Sequence, residues 1–148
     1  MGTEEVIELH ISVRNLVEFL MRGGDLDNRH TASSEQAMLA GSRIHREIQK
    51  KMGPDYEAEV PLSHTYQFEG YQLTVEGRAD GILTTGERVM IDEIKGTYRE
   101  IKAIREPVPV HLAQAKCYAY FYGVLQELDQ IEVQMTYCHL ETEELKYF

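Results

Sequence analysis

The stretch GYQLTVEGRADGILTTGERVMIDEIK, residues 70–95, decides how this chain folds. It reads as two strands, GYQLTVEGRADGIL and RVMIDEIK, with Thr85-Gly86-Glu87 as the turn signal between them. Val89, Met90 and Ile91 have the character of a buried strand. Asp92, Glu93 and Lys95 then place charges where that strand should stay dry. Burying ions is costly unless they are paired or bound to a metal. If Gly86-Glu87 forms a two-residue hairpin with glycine first, residues whose numbers sum to 173 face each other. Asp80 then sits opposite Glu93. A four-residue loop over Thr84–Glu87 keeps the same face, whereas a slip of one residue separates them. Glu93 and Lys95 share one side of their strand, and Asp92 points to the other and is the poorer ligand candidate. Asp80, Glu93 and Lys95 are therefore expected to converge.

Two carboxylates directly across a ladder repel each other. Lys95 or Arg78 could relieve this, and a divalent cation would do it better. Hard oxygen ligands suit Mg²⁺ or Mn²⁺. An exposed cross-strand charge cluster would carry the same residues without a site.

Outward from the hairpin, YEAEVPLSHTYQF is a preceding strand, with Pro61 marking an edge or bulge. Glu69-Gly70 is its turn signal. EVIELHI (5–11) alternates as a half-exposed strand. Ser12 is placed to cap a short helix, VRNLVEFLMR, stopping at Gly23-Gly24. DLDNRHTAS reads as a loop. A longer helix starts at Ser33 or Ser34, with Ser33 and Gln36 as a capping box. Ala37, Ala40, Ile44, Ile48 and Met52 form its apolar stripe, and Gly53-Pro54 ends it. After Pro107 and Pro109 comes the helix HLAQAKCYAYFYGVLQEL, then strands IEVQMTYCHL and ELKYF around Glu141-Thr142. The expected architecture is α/β: a mixed sheet flanked by helices. The chain stops inside ELKYF, which reads as a domain cut from a longer protein.

His45 flanks the stripe of its helix, one turn after Gly41. A mid-helix glycine costs about 1 kcal/mol against alanine, so it usually admits close packing. A lone histidine there is commonly just a hydrogen-bonded boundary residue. Gln114 and Tyr118 share a helix face, with His111 roughly on it. Their polar tips can reach phosphate oxygens or bases, although tyrosines in YAYFY are also natural core and boundary packing. His10, His30, His64 and His139 show no partnered spacing and read as surface or strand residues.

The chain has 148 residues and a net charge of −10, which argues against a generic polyanion binder. The charge is uneven. Lys95, Arg99, Lys102 and Arg105 make a basic stretch, while acids gather at Glu4–Glu8 and Glu141–Glu144. A local basic groove on an acidic body follows as a possibility. Cys117 and Cys138 belong to no CxxC pair and read as reduced thiols in or near the core. No apolar run approaches the roughly 20 residues of a membrane helix. The acidic N-terminus lacks the form of a signal peptide. A cytoplasmic protein with no membrane partner is expected.

Four motifs in this order resemble the PD-(D/E)xK nuclease superfamily in its RecB-like branch. They are Gly41-Ser42-Arg43-Ile44-His45, Gly77-Arg78-Ala79-Asp80-Gly81-Ile82, Asp92-Glu93-Ile94-Lys95-Gly96 and Gln114-Ala115-Lys116-Cys117-Tyr118, spanning residues 41–118. The resemblance implies a restriction-endonuclease-like core in α-β-β-β-α-β order, with residues 1–148 as one nuclease-like domain. It implies a Mg²⁺- or Mn²⁺-dependent deoxyribonuclease, an exonuclease by expectation, in a DNA repair or recombination setting. His45, Asp80, Glu93 and the backbone carbonyl of Ile94 would ligate the metal. Asp80, Glu93 and Lys95 would be the catalytic set, with Lys95 orienting or activating the attacking water. Gln114 and Tyr118 would place DNA, single-stranded or at duplex ends. Arg78 has no firm family role.

Two departures matter. The family's proline–aspartate is Ala79-Asp80 here, as is common in the RecB-like branch. The four cysteines that hold an iron–sulfur cluster in some relatives are missing, so no cluster is implied. Domains of this kind also occur fused to or associated with DNA helicases, which would then supply much of the DNA affinity. The alternative is a catalytically weak or inactive DNA-binding or docking module of a larger helicase-nuclease protein.

Overall fold

The computed structural model describes residues 5–22 and 35–148. β1 (Ile7–Ser12) leads into α1 (Val13–Leu20), and α2 spans Glu35–Lys50. Three long strands follow: β2 (Tyr56–Phe68), β3 (Tyr71–Thr85) and β4 (Arg88–Thr97). A 3-10 turn at Ile101–Ala103 precedes α3 (Pro109–Gln126), β5 (Glu132–His139) and β6 (Leu145–Tyr147). The architecture is α/β, a mixed six-stranded sheet flanked by helices. The expected α-β-β-β-α-β run is present as α2 to β5, with β1 and α1 before it and β6 after it.

β3 organises the sheet. Along one side it pairs antiparallel with β2 from Tyr71 to Leu83, with Asp80 skipped. Its other side is shared. Residues 71–76 take β1 in parallel, and residues 81–85 take β4 antiparallel. β4 then pairs in parallel with β5, and β5 antiparallel with β6. Among the described residues β2 pairs only with β3, so Pro61 costs no inner ladder bond on that edge.

The β3–β4 turn is the one the sequence calls for. Thr85 faces Arg88 and Gly81 faces Asp92, so paired numbers sum to 173. Gly86 takes φ +62, while Glu87 stays out of the positive-φ region. That is the glycine-first form of the two-residue hairpin.

Local signals place the helices. Ser12 caps α1, its side chain accepting from the Asn15 amide at 3.1 Å. α1 ends at Leu20, closed by Met21, short of the expected stop. That stop at Gly23-Gly24, the DLDNRHTAS loop with His30, and the capping box opening at Ser33 all lie outside the described residues. Pro109 opens α3, where a missing amide hydrogen costs nothing.

The core forms on both faces of the sheet. On one, α1 and α3 cover Val13, Val75, Ile82, Ile91 and Phe121. Ala115, Ile101 and Ile104 continue it over Met135 and Tyr137 of β5. Each such fully buried aliphatic side chain contributes about 1.5–3 kcal/mol. α2 lies on the other face, where Ile44 is buried and, with Ile48 and Met52, borders a cleft that also contains Cys138. Cys138 is buried and Cys117 half-buried, both as free thiols. The expected close neighbour of Gly41 is not found among the described residues, since a Cβ there would meet nothing within 4 Å.

Two other glycines do make room for tyrosines. A Cβ on Gly77 would overlap the Tyr118 hydroxyl, and one on Gly81 would overlap the Tyr56 hydroxyl. Tyr56 uses that space to donate to Asp92 Oδ2 at 2.8 Å. Gly81→Ala should therefore cost about 2–3 kcal/mol by overpacking a buried polar contact. A urea midpoint shifted down at unchanged slope would register it. An unshifted midpoint would mean that Tyr56 has freedom to move aside.

Candidate metal centre

The centre lies where α2, β2, β3 and β4 meet. The β3–β4 ladder ends at Gly81–Asp92, and just beyond it the Asp80 and Glu93 carboxyls lie close enough to interact. Both residues are buried, at 8% and 5% exposure. Asp80 Oδ2 accepts from the Ile94 amide at 2.7 Å. Its Oδ1 lies 3.6 Å from His45 Nδ1 of α2. Glu93 Oε1 lies 3.4 Å from Lys95 Nζ on the same strand face. Glu93 Oε2 is buried without a hydrogen-bond partner among the described residues.

Electrostatics follow from that crowding. Burial pushes the Asp80 carboxyl up, opposed by His45, the Ile94 amide and Lys95. Glu93 is pushed well above the usual carboxylate range, first by burial and then by the charge of Asp80, with Lys95 pulling the other way. The two carboxyls resist being ionised together in these surroundings. In a protein interior such an arrangement is costly, and a bound cation is the common remedy.

Asp92 differs sharply. It is buried, but its carboxylate is fully engaged. It accepts from Tyr56, from Thr136 Oγ1 at 2.6 Å and from Gln134 Nε2 at 3.4 Å. It anchors β4 to β2 and β5 on the opposite face, as alternation along the strand requires.

Two residues escaped the sequence reading. Glu59 of β2 reaches the same place, and one ligand atom each from His45, Glu59 and Asp80 lies within 4.8 Å of the others. Glu59 has φ +55, and the β2–β3 ladder skips it and Asp80 while pairing residues on both sides. Gln49, one helical turn after His45, donates from Nε2 to Glu59 Oε1 at 2.9 Å and to the Asp80 carbonyl at 2.8 Å. A signal existed for both. The turn at Glu69-Gly70 pairs residues summing to 139, which sets Glu59 opposite Asp80. Gln49 shares His45's face by its spacing of four.

The remaining expected residues divide. Tyr118 and Gln114 are both buried on the inward side of α3. Burial pushes the Tyr118 hydroxyl up, reinforced by the charges of Glu93 and Asp80, so it stays protonated near neutral pH. For Ile94, the group seen at the site is its amide, bound to Asp80. Arg78 Nη1 stands 4.0 Å from Glu59 Oε2 at the exposed rim. Arg99, Lys102 and Arg105 point to solvent, while Ile101 and Ile104 between them turn inward.

His111 packs near Lys95 and shares a 3.0 Å hydrogen bond with the Tyr137 hydroxyl. Burial, then the charges of Lys95 and Arg14, push its pKa down from 6.5 to about 4. The unfolded chain therefore takes up a proton below about pH 6.5 that the folded chain refuses until about pH 4. Stability conferred by neutral His111 is present above that window and lost as pH falls through it. Because the ring is partly solvated, the loss should be only about 1–2 kcal/mol. His111→Gln should flatten the fall in unfolding free energy between pH 7 and pH 4 by that amount. Parallel curves for the two proteins would exclude a buried neutral imidazole.

The sequence matches no family model and no curated protein. One solved structure, the crystal structure of SSO0001, superposes on 100% of this chain and 68% of its own, with a TM-score of 0.64 and 18% identity. That similarity concerns the fold. Among the described residues, no helix is long and apolar enough to cross a membrane.

Proposed function

We propose that this chain is a divalent-cation-dependent nuclease of the PD-(D/E)xK type, with a restriction-endonuclease-like core, hydrolysing phosphodiester bonds in DNA. The observation that carries the reading is the buried Asp80–Glu93 pair, with Glu93 Oε2 unpartnered and His45 and Lys95 alongside. A surface charge cluster would be solvated, whereas this one is nearly dry.

The residues fit a cation. Carboxylate oxygens suit Mg²⁺, and an added imidazole favours Mn²⁺. His45, Asp80 and Glu93 would hold it, with the Ile94 carbonyl completing the set that the motif resemblance implies. When bound, it lowers the pKa of a water and neutralises charge developing on the phosphate.

The protein's own groups do the rest. Lys95, a quarter exposed, is able to donate to the attacking water or to a phosphate oxygen. Tyr118, kept neutral, is a hydrogen-bond donor rather than a repelling phenolate. Gln114 lies one turn before it on α3, with both donor and acceptor groups. Arg99, Lys102 and Arg105 are exposed cations on an otherwise acidic molecule and would be available to a DNA strand's phosphates.

The test is cleavage of end-labelled single-stranded, duplex and circular DNA with Mn²⁺, Mg²⁺ or EDTA. The reading expects cation-dependent cleavage that stops in EDTA, and exonuclease action would spare the circle. Tight Mn²⁺ binding without cleavage of any form would replace it with a DNA-binding or docking module.

A further inference from the structure

Glu59 lies outside all four motifs, and the sequence assigns it no role. We infer that Glu59 is a further ligand of the cation, joining His45 and Asp80 on the solvent side of the site. The inference rests on the cation site proposed above and adds a donor to it.

Three observations converge. The first is proximity, with ligand atoms of His45, Glu59 and Asp80 mutually within 4.8 Å. The second is backbone cost. Glu59 adopts φ +55, a conformation disfavoured for residues with a Cβ by about 1–2 kcal/mol. At that point the β2–β3 ladder is interrupted in front of Asp80 alone. The third is Gln49, whose amide bridges Glu59 Oε1 and the Asp80 carbonyl. It fixes the Glu59 carboxylate beside Asp80, where an unassisted acid would swing into solvent. A tether that holds two acids together adds repulsion unless a cation follows. Glu93 Oε2, on the strand next to Asp80, is buried with no hydrogen-bond partner among the described residues. Arg78 stands 4.0 Å from Glu59 on the exposed rim, too loosely placed to neutralise it fully.

The consequence is chemical. Glu59 adds a second carboxylate to Asp80 and His45, so the converging ligand atoms bring two negative charges to a divalent ion. Affinity rises with ligand charge count. The site should hold Mn²⁺ tightly even before DNA arrives.

Calorimetric titration of Mn²⁺ into wild-type protein, Glu59→Gln and Asp80→Asn tests this without any cleavage readout. Glu59→Gln should weaken Mn²⁺ binding at least about ten-fold, the scale expected for losing a coordinating partner. It should keep the cation-free melting temperature or raise it, because an acid beside Asp80 is gone. Unchanged affinity in Glu59→Gln with lost binding in Asp80→Asn overturns the role of Glu59 and leaves the cation site standing. Unchanged affinity in both variants removes the site itself. Weakened binding accompanied by a clearly lower melting temperature assigns Glu59 to structure and also overturns the inference.

Discussion

Lys95→Ala should reduce DNA cleavage about a hundred- to a thousand-fold, the range for removing one preorganised charge from a transition state. That is about 3–4 kcal/mol of barrier. The ammonium stands beside the buried Glu93 and belongs to no other ion pair among the described residues, so a melting curve must accompany the assay to separate lost chemistry from lost stability. Cation binding should persist in the variant and become slightly tighter, because a competing positive charge has been removed from the carboxylate. Single-turnover cleavage and Mn²⁺ titration on the same preparation separate the two effects. Intact cleavage would remove Lys95 from the chemistry. A large loss of Mn²⁺ affinity would instead make it a structural support for Glu93.

Glu93→Gln should abolish cleavage and yet stabilise the cation-free protein by about 1–3 kcal/mol. Buried charges retained for function commonly cost stability in this way. The direction follows from electrostatics. Glu93 is pushed well above its ordinary value of 4.5 by burial and by Asp80. A group with a raised folded pKa stabilises the fold below its unfolded pKa, and that contribution is lost as pH rises through the folded value. The amide removes this loss. The gain should therefore be small near pH 4 and full once the pH exceeds the folded pKa. Saturating Mn²⁺ should reverse the order, raising the melting temperature of the wild type by more than that of the variant. A variant less stable than wild type at neutral pH without cation would show that Lys95 already satisfies Glu93.

The parts of the site built by adjacent strands were legible in the sequence, because turn chemistry fixes register. Thr85-Gly86-Glu87 demanded a glycine-first hairpin, and arithmetic then carried Asp80 opposite Glu93. Asp92 went to the other face by alternation, where it meets Tyr56 and Thr136. Pro61 announced an edge strand, and β2 is one. Less was legible where the answer depended on packing at a distance. Nothing local says that α2 delivers His45 to Asp80 rather than to solvent. The Glu69-Gly70 turn placed Glu59 opposite Asp80, but its non-glycine positive φ has no residue signature. Gly41 misled, since a helical glycine without a close neighbour reads the same as one that has it. His111 looked like a minor companion of Gln114. Its burial against Tyr137 depends on β5, which is distant in sequence.

The most direct measurement is diffraction from crystals grown with Mn²⁺, with data collected at the manganese absorption edge. The account predicts one strong anomalous peak between His45 and the Asp80–Glu93 pair, within coordination distance of their side chains. A peak elsewhere, or none there in crystals whose Asp80 and Glu93 remain buried together, would contradict it.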